Sequence, residues 1–182
     1  MVNRELPTAG LVRQILDYDP ETGEFRWKKR TPDMFPSGNT SSEAICQAWN
    51  KRFAGKSAGC HCDGYLKIKI KNKKYFGHRI AWLFIHGEWP MEDIDHINCI
   101  KSDNSLSNLR EATRAENSRN RGVNLNNISG YKGVHRRDNG KWHAQITHCR
   151  KVYVLGDFSN VEDAAAAYER AAKNMHGKFS RI

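Results

Sequence analysis

Hydrophobic positions along the chain recur at spacings that predict a mixture of helices and short strands. Behind Thr8, a residue that can cap a helix, apolar residues follow at helical spacing: Leu11, Val12, Ile15 and Leu16. After the turn-forming "DPETG", the segment "EFRWK" is typical of a strand. "SSEAICQAWNKRFAG" then predicts a second helix that begins at a Ser cap and ends at Gly55.

The segment "YLKIKIKNKKYFGHR" alternates apolar and cationic residues, which predicts a strand with one face in the core. A turn at Asn72–Lys73 leads into the next strand. The other face carries Lys67, Lys69 and Lys71, and it is either a solvated surface or a surface that contacts phosphate. "RIAWLFIHGEWP" is apolar around its circumference and predicts a short buried helix ending near Gly87.

Residues 94–120, "IDHINCIKSDNSLSNLREATRAENSRN", are crowded with polar side chains. Thr113 and Glu116 form a capping box, which predicts a helix over 114–121. "DIDHI" and "NLREAT" are typical of short strands. The order strand, loop, strand, helix can bring a residue of the first strand and one of the helix to a common point.

These residues have the chemistry of a metal-dependent hydrolase. Asp95 and the carbonyl oxygen of Asn117 suit Mg²⁺, which takes oxygen ligands and shares its coordination with substrate phosphate. His96 can take a proton from water, and Asn108 can orient its imidazole. However, the chain has fifteen Asn in 182 residues, and Asn is also common in turns. Spacing alone is therefore compatible with either interpretation, a turn-rich loop or a catalytic site.

The segment "GVNLNNISG" lacks a hydrophobic period and marks a boundary, with residues 1–122 as one domain, 123–129 as a linker and 130–182 as a second domain. The sequence pattern of the second domain predicts three strands and a helix. A hairpin turn is expected at Asn139–Gly140, and Asn160 is expected to cap the helix. Residues 129–156 carry six Lys/Arg and one Asp. This basic sheet either enters a DNA groove or only increases solubility.

Composition narrows the class of partner. The formal net charge of +10 favours a polyanionic partner, such as nucleic acid or an acidic membrane surface, although it is also compatible with a solvated basic surface. No apolar run approaches the ~18 residues of a membrane-spanning helix and the first residues do not resemble a signal peptide, so we expect a cytoplasmic protein without a membrane partner. Five Cys without a framework spacing favour reduced thiols, and Cys60-His61-Cys62 lacks the second ligand pair of a structural zinc site.

Residues 78–122, "HRIAWLFIHGEWPMEDIDHINCIKSDNSLSNLREATRAENSRNRG", resemble the HNH endonucleases of the phage and intron-homing branch. The resemblance implies a ββα-metal fold in which His96 is the general base and Asn108 positions it. It also implies that Asp95 and Asn117 hold one divalent ion, Mg²⁺ or Mn²⁺. The reaction would be hydrolysis of DNA phosphodiester bonds. Cys99-Ile100 departs from the Gly-Asp that the family usually carries there.

Residues 130–182 resemble the AP2 DNA-binding domain through "YKGV", "GKWHAQI", "LGDF" and "EDAAAAYERAA". The resemblance implies that five residues contact DNA: Lys132, His135, Arg137, Lys141 and Gln145. Asn139, Val152 and Val154 depart from the plant domains, so the fold and DNA binding are implied but the plant target sequence is not.

The sequence thus predicts an α+β protein with a ββα-metal (HNH) nuclease domain followed by a three-stranded antiparallel sheet plus helix. We expect a phage-encoded, homing-type, metal-dependent endonuclease that nicks or cuts duplex DNA in the host cytoplasm, as a monomer or homodimer. Two alternatives stay open: a non-catalytic AP2-type DNA-binding regulator with a degenerate nuclease fold, and a protein that acts on RNA.

Overall fold

The computed structural model describes residues 6–36, 38–120, 122–123 and 126–180. It has mixed helices and strands, which confirms the α+β class. The chain divides into two compact units, one ending at Glu111 and the other beginning at Ala112. The predicted boundary at 123–129 lies further along the chain, so helix 114–120 belongs to the second unit.

The first unit opens with an α/β segment and continues into a three-stranded sheet. Its helices and strands are α1 (Ala9–Ile15), β1 (Leu16–Tyr18), β2 (Phe25–Trp27), α2 (Ser42–Phe53), β3 (Cys60–Cys62), β4 (Tyr65–Ile70), β5 (Lys73–Phe76), α3 (Gly77–His86), β6 (Asp93–His96) and β7 (Leu109–Ala112). The last residue of β7 falls in the second unit. Strand pairing is β1 with β2, β3 with β4 with β5, and β6 with β7.

The core of the first unit forms where α1, β1, β2, β4 and α3 meet. Fully or almost fully buried side chains fill it: Val12, Leu16, Phe25, Ile68, Ile80 and Leu83. The alternation predicted for β4 holds at its C-terminal end, where Ile68 and Ile70 are buried and Lys69 is exposed, whereas Leu66 and Lys67 are both half-buried. Burying such side chains is the main force that stabilises the unit.

Three local details differ from the sequence-based predictions. Leu16, placed on the helical face, is the first residue of β1. The hairpin turn lies at Lys71–Asn72 instead of Asn72–Lys73, because Ile70 pairs with Lys73 and leaves two residues with positive φ, 45° and 65°. Lys71 therefore lies in the turn and not on the strand face. Helix α3 is only partly buried, since Ile85 and His86 are exposed.

The second unit begins with α4 (Arg114–Asn120), followed by β8 (Val134–Arg136), β9 (Trp142–His148), β10 (Lys151–Phe158) and α5 (Val161–His176). The strands form an antiparallel sheet in the order β10-β9-β8. Helix α5 packs on one face around a small core of Val134, Ala144, Ile146, Ala164, Tyr168 and Ala172. The three predicted strands and the predicted helix are present.

Sequence-coded caps and turns account for these boundaries. The capping box is confirmed, since the Glu116 carboxylate accepts from the Thr113 N–H at 2.9 Å. The Asn160 side chain accepts from the Asp163 N–H at 2.9 Å at the start of α5. Gly140 has φ 79° in the β8–β9 hairpin. None of the helices among the described residues has the length and apolar character to cross a membrane.

Candidate active site

Asp95 and His96 end strand β6 and are almost completely buried, at 4% and 6% exposure. A loop follows and returns the chain to β7. Asn108 closes this loop at its base: its backbone carbonyl accepts from the Ile97 N–H at 2.9 Å, and its side-chain oxygen accepts from the Asn98 N–H at 2.9 Å. Its Nδ2 donates to the Asp103 carbonyl at 2.9 Å. Asn108 thus fixes the loop that follows the histidine.

Asp95 is paired with Arg110, which lies on the neighbouring strand β7. Its Oδ2 accepts from Arg110 Nε at 2.9 Å and from Arg110 Nη2 at 2.7 Å. The side chains are 5% and 14% exposed. A buried carboxylate requires such compensation, because transferring a charge out of water is costly. The pair places the guanidinium of Arg110 against the carboxylate that precedes His96.

The His96 imidazole is enclosed by other rings. The Tyr65 ring centroid lies 6.1 Å away and the His78 ring stands edge-on at 5.0 Å. Burial lowers the pKa of His96, while the contact with Asn104 acts in the opposite direction. The imidazole is therefore neutral at pH 7 and able to accept a proton.

Asn104 is the amide that contacts the imidazole, and it was not among the site residues predicted from the sequence. Its Oδ1 lies 3.4 Å from His96 Nε2. Its Nδ2 donates to the Ser102 carbonyl at 3.2 Å, which fixes the orientation of the amide. The Asp-Asn pair at 103–104 is part of the pattern that resembles the HNH family, but spacing gives no reason to prefer Asn104 over Asn98 or Asn108.

The N-terminal segment of the first unit supports Asn104. The Tyr18 hydroxyl donates to the Asn104 carbonyl at 2.7 Å, and the Leu106 N–H donates to the Pro20 carbonyl at 2.8 Å. Gly23 packs so closely that a Cβ there would lie 2.4 Å from Asn104 C. The turn between β1 and β2 thus packs against residues 104–106 and holds the loop that follows His96 in place.

His78 is a second buried imidazole in this neighbourhood. Its Nδ1 is buried and has no hydrogen-bond partner among the described residues. Burial, followed by the nearby His96 and Arg79, lowers the pKa of His78 to about 3. A ring that burial keeps neutral adds no charge beside His96.

The side chains around Asp95 offer few donors to a divalent ion. Within the part of the chain that the structure describes, no three His, Cys, Asp or Glu side chains cluster as a metal site. Asp95 supplies one hard oxygen donor, and a single carboxylate fits an ion that retains water and binds substrate phosphate. Asn117, the other predicted ligand, lies in α4 of the second unit. A single carboxylate is compatible with a hydrated divalent ion, whose other ligands would be water and phosphate.

The predicted phosphate-contacting lysines of β4 do not form one uniform face. Lys67 is half-buried, pairs with Asp63 at 3.3 Å and stacks over Phe76 at 5.3 Å. Lys69 is exposed on the strand, and Lys71 is exposed in the turn. Lys69 and Lys71 are thus exposed to solvent, whereas the charge of Lys67 is partly neutralised by Asp63.

The predicted DNA contacts of the second unit are mostly accessible. His135, Arg137 and Lys141 are exposed and Gln145 is half-buried. Lys132 is half-buried, and its Nζ donates to the Arg119 carbonyl. The strand register places His135 beside His143, a buried polar residue of β9 that was not among those predicted from the sequence.

Residues 75–119 match the HNH endonuclease family model, which confirms an HNH endonuclease segment there. The chain is also 30% identical over 105 residues to an uncharacterised HNH endonuclease of Acanthamoeba polyphaga mimivirus. That similarity covers 57% of this chain and 54% of the relative, so the chain spans about half the length of the relative it matches. No solved structure matches the chain. Both similarities support a nuclease.

Proposed function

We propose that this protein is a metal-dependent endonuclease that hydrolyses phosphodiester bonds of duplex DNA, as a phage-encoded, homing-type HNH enzyme acting in the host cytoplasm. The nuclease site would belong to residues 1–122. Residues 130–182 would be an AP2-like DNA-binding domain. The observation that carries the proposal is the neutral, buried His96 beside the buried Asp95–Arg110 pair within the segment that matches the HNH family.

Each site residue has a role that its chemistry supports. His96 takes the proton of the attacking water, and the Asn104 oxygen stabilises the imidazolium that forms. The resemblance assigns Asp95 and Asn117 as ligands of one Mg²⁺ or Mn²⁺, which when bound offsets charge on the phosphate. Asn108 holds the loop so that His96 keeps its position.

The cationic surfaces support a nucleic-acid substrate. The formal charge is +10, and Lys69, Lys71 and the basic β8–β9 hairpin are open to solvent. Phosphate contacts of this kind supply affinity without sequence preference. One active site per chain makes nicking by a monomer the expected product, whereas a double-strand cut would require a homodimer or a second encounter.

The test incubates supercoiled plasmid with the purified full chain in Mg²⁺, in Mn²⁺ and in EDTA. His96→Ala and Asn117→Ala are compared with His61→Ala, a matched control because His61 is exposed and lies outside the matched segment. We expect nicked plasmid that requires the metal, is lost in the two site variants and persists in the control.

Two rival functions predict other results. A DNA-binding regulator would retard the plasmid without cutting it, and equally for all variants. A protein that acts on RNA would prefer structured RNA in competition with duplex DNA. Cleavage by His96→Ala at the wild-type rate would refute the proposed general base.

A further inference from the structure

The outer face of the second-unit sheet, opposite α5, carries a row of polar side chains that crosses all three strands. The strand register pairs His135 with His143 and His143 with Asp157. Arg137 follows directly after β8 and reaches the same row. This face lies away from the apolar core, yet His143 is only 2% exposed.

The hydrogen bonds within the row have a defined direction. His143 Nδ1 lies 2.6 Å from Asp157 Oδ1, and His143 Nε2 lies 3.3 Å from Arg137 Nη2. A guanidinium only donates, so the second contact requires an unprotonated Nε2 and places the imidazole proton on Nδ1. Arg137 therefore donates to His143, and His143 donates to Asp157.

Arg137 is held along one edge of its guanidinium. Its Nε also lies 3.3 Å from Asp157 Oδ1. Nε thus faces the Asp157 carboxylate and one N–H of Nη2 contacts His143, whereas Nη1 makes no hydrogen bond to the described residues. The side chain is 48% exposed. What remains for a ligand is the end of the fork, where Nη1 and Nη2 present two parallel N–H groups.

Charge decides which ligand suits this edge. The His143 hydrogen bond, followed by the Arg137 and Lys141 charges, lowers the pKa of Asp157, so its carboxylate is ionised at pH 7. Arg137 and Asp157 together carry no net charge. Such a pair attracts a phosphate weakly but can donate two hydrogen bonds to a neutral base edge, and O6 and N7 of guanine are the matching acceptors.

We infer that Asp157 and His143 are positioning residues that hold the Arg137 guanidinium end-on for a guanine in the major groove. Arg137 is then a specificity-determining residue and not a residue that neutralises phosphate. The inference rests on the proposed DNA binding of the second unit. Preorganisation is the physical reason for the arrangement, because a flexible Arg side chain otherwise loses rotamer freedom on binding.

The experiment selects DNA from a random duplex library with the full-length protein in EDTA, so that bound DNA is not cut. Wild type is compared with Arg137→Lys, which keeps the charge but loses the fork, and with Asp157→Asn. The matched control is Asp138→Asn, which removes the same charge at an exposed position of the same unit. Bound DNA is sequenced, and affinity is measured at several salt concentrations.

We expect wild type and Asp138→Asn to enrich guanine at one position, and Arg137→Lys and Asp157→Asn to lose roughly 5- to 100-fold of that preference. Affinity for unselected DNA should change no more for Asp157→Asn than for Asp138→Asn, which removes the same charge, and Arg137→Lys should keep the wild-type salt slope because it keeps the charge. Because Arg137 is exposed, Arg137→Lys reports on base preference even if Asp157→Asn fails to fold.

Other outcomes overturn the inference. If wild type and both variants enrich the same bases, or wild type enriches none, Arg137 does not read a base. If Arg137→Lys keeps the wild-type base preference and only weakens binding to every sequence alike, Arg137 is a phosphate contact instead. If wild type binds no DNA, the proposed function of the second unit fails together with this inference, and that result is distinct from binding without the guanine preference.

Discussion

Gly23 offers the sharpest test of the support behind the His96 loop. It lies in the turn between β1 and β2 with φ 74°, and a Cβ there would lie 2.4 Å from both Asn104 C and Ser105 N. Both atoms belong to the backbone, so neither can rotate away. Gly23→Ala must therefore displace either the turn or the loop that holds Asn104 against His96.

Two effects contribute to the loss of stability expected for Gly23→Ala. An Ala in the left-handed region costs about 1 kcal/mol, and overpacking against backbone adds about 1–3 kcal/mol. We expect Gly23→Ala to lower the free energy of unfolding by about 2–4 kcal/mol in all. Gly55 has φ 75°, and a Cβ there would meet no atom within 4 Å, so Gly55→Ala should show only the first effect.

The assay is urea unfolding of the full chain followed by Trp fluorescence. Four of the five Trp, at positions 27, 49, 82 and 89, lie in the first unit, so the signal reports mainly on that unit. Plasmid nicking measured on the same proteins should fall more for Gly23→Ala than for Gly55→Ala. If both variants lose equal stability, the close approach of Gly23 to Asn104 is not present and the reasoning is refuted.

Further predictions concern the same loop. Tyr18→Phe removes the buried hydrogen bond to Asn104 and should cost about 1 kcal/mol by the same unfolding assay; no loss would mean that this bond is not formed. Asn108→Ala leaves loop donors and acceptors unpaired and should cost about 1–3 kcal/mol and most of the nicking activity, whereas full activity would contradict its role. The pKa of His78 is lowered to about 3, so below pH 6.5 the unfolded chain binds a proton that the folded chain does not. Stability should fall by up to ~1.4 kcal/mol per pH unit between pH 6 and 4, and urea unfolding of His78→Phe at three pH values should give a shallower slope.

Features that depend on neighbours in sequence could be predicted. The cap at Thr8 accepts from the Leu11 N–H, and the capping box at Thr113 and the cap at Asn160 have the expected partners within three residues. The alternation in β4 also indicated the buried face correctly. Local backbone groups and periodicity determine these features, so no tertiary information was required.

Features that depend on distant contacts could not be predicted. Tyr18 and Asn104 are 86 residues apart, and nothing in either segment indicates that they meet. Nothing in the sequence distinguishes Arg110 from the other basic residues, because only the pairing of β6 with β7 brings it to Asp95. Likewise, the bond between His143 and Asp157 depends on the register of β9 with β10. Leu16 fits a helical stripe, but pairing with Trp27 draws it into β1.

The abundance of Asn after Asp95-His96 has a physical reason in this loop. An amide both donates and accepts without carrying charge. Asn98 donates to Asp103 at 2.6 Å and accepts from the Ile100 N–H at 2.8 Å, while the Asn108 side chain bonds to Asn98 at the start of the loop and to Asp103 near its middle.

Carboxylates at these positions could accept but not donate, and they would add negative charge beside Asp95 and Asp103. Lysines could donate but not accept, and they would compete with Arg110 for Asp95. Amides therefore fix the loop without adding to the charges that Asp95, Asp103 and Arg110 already carry.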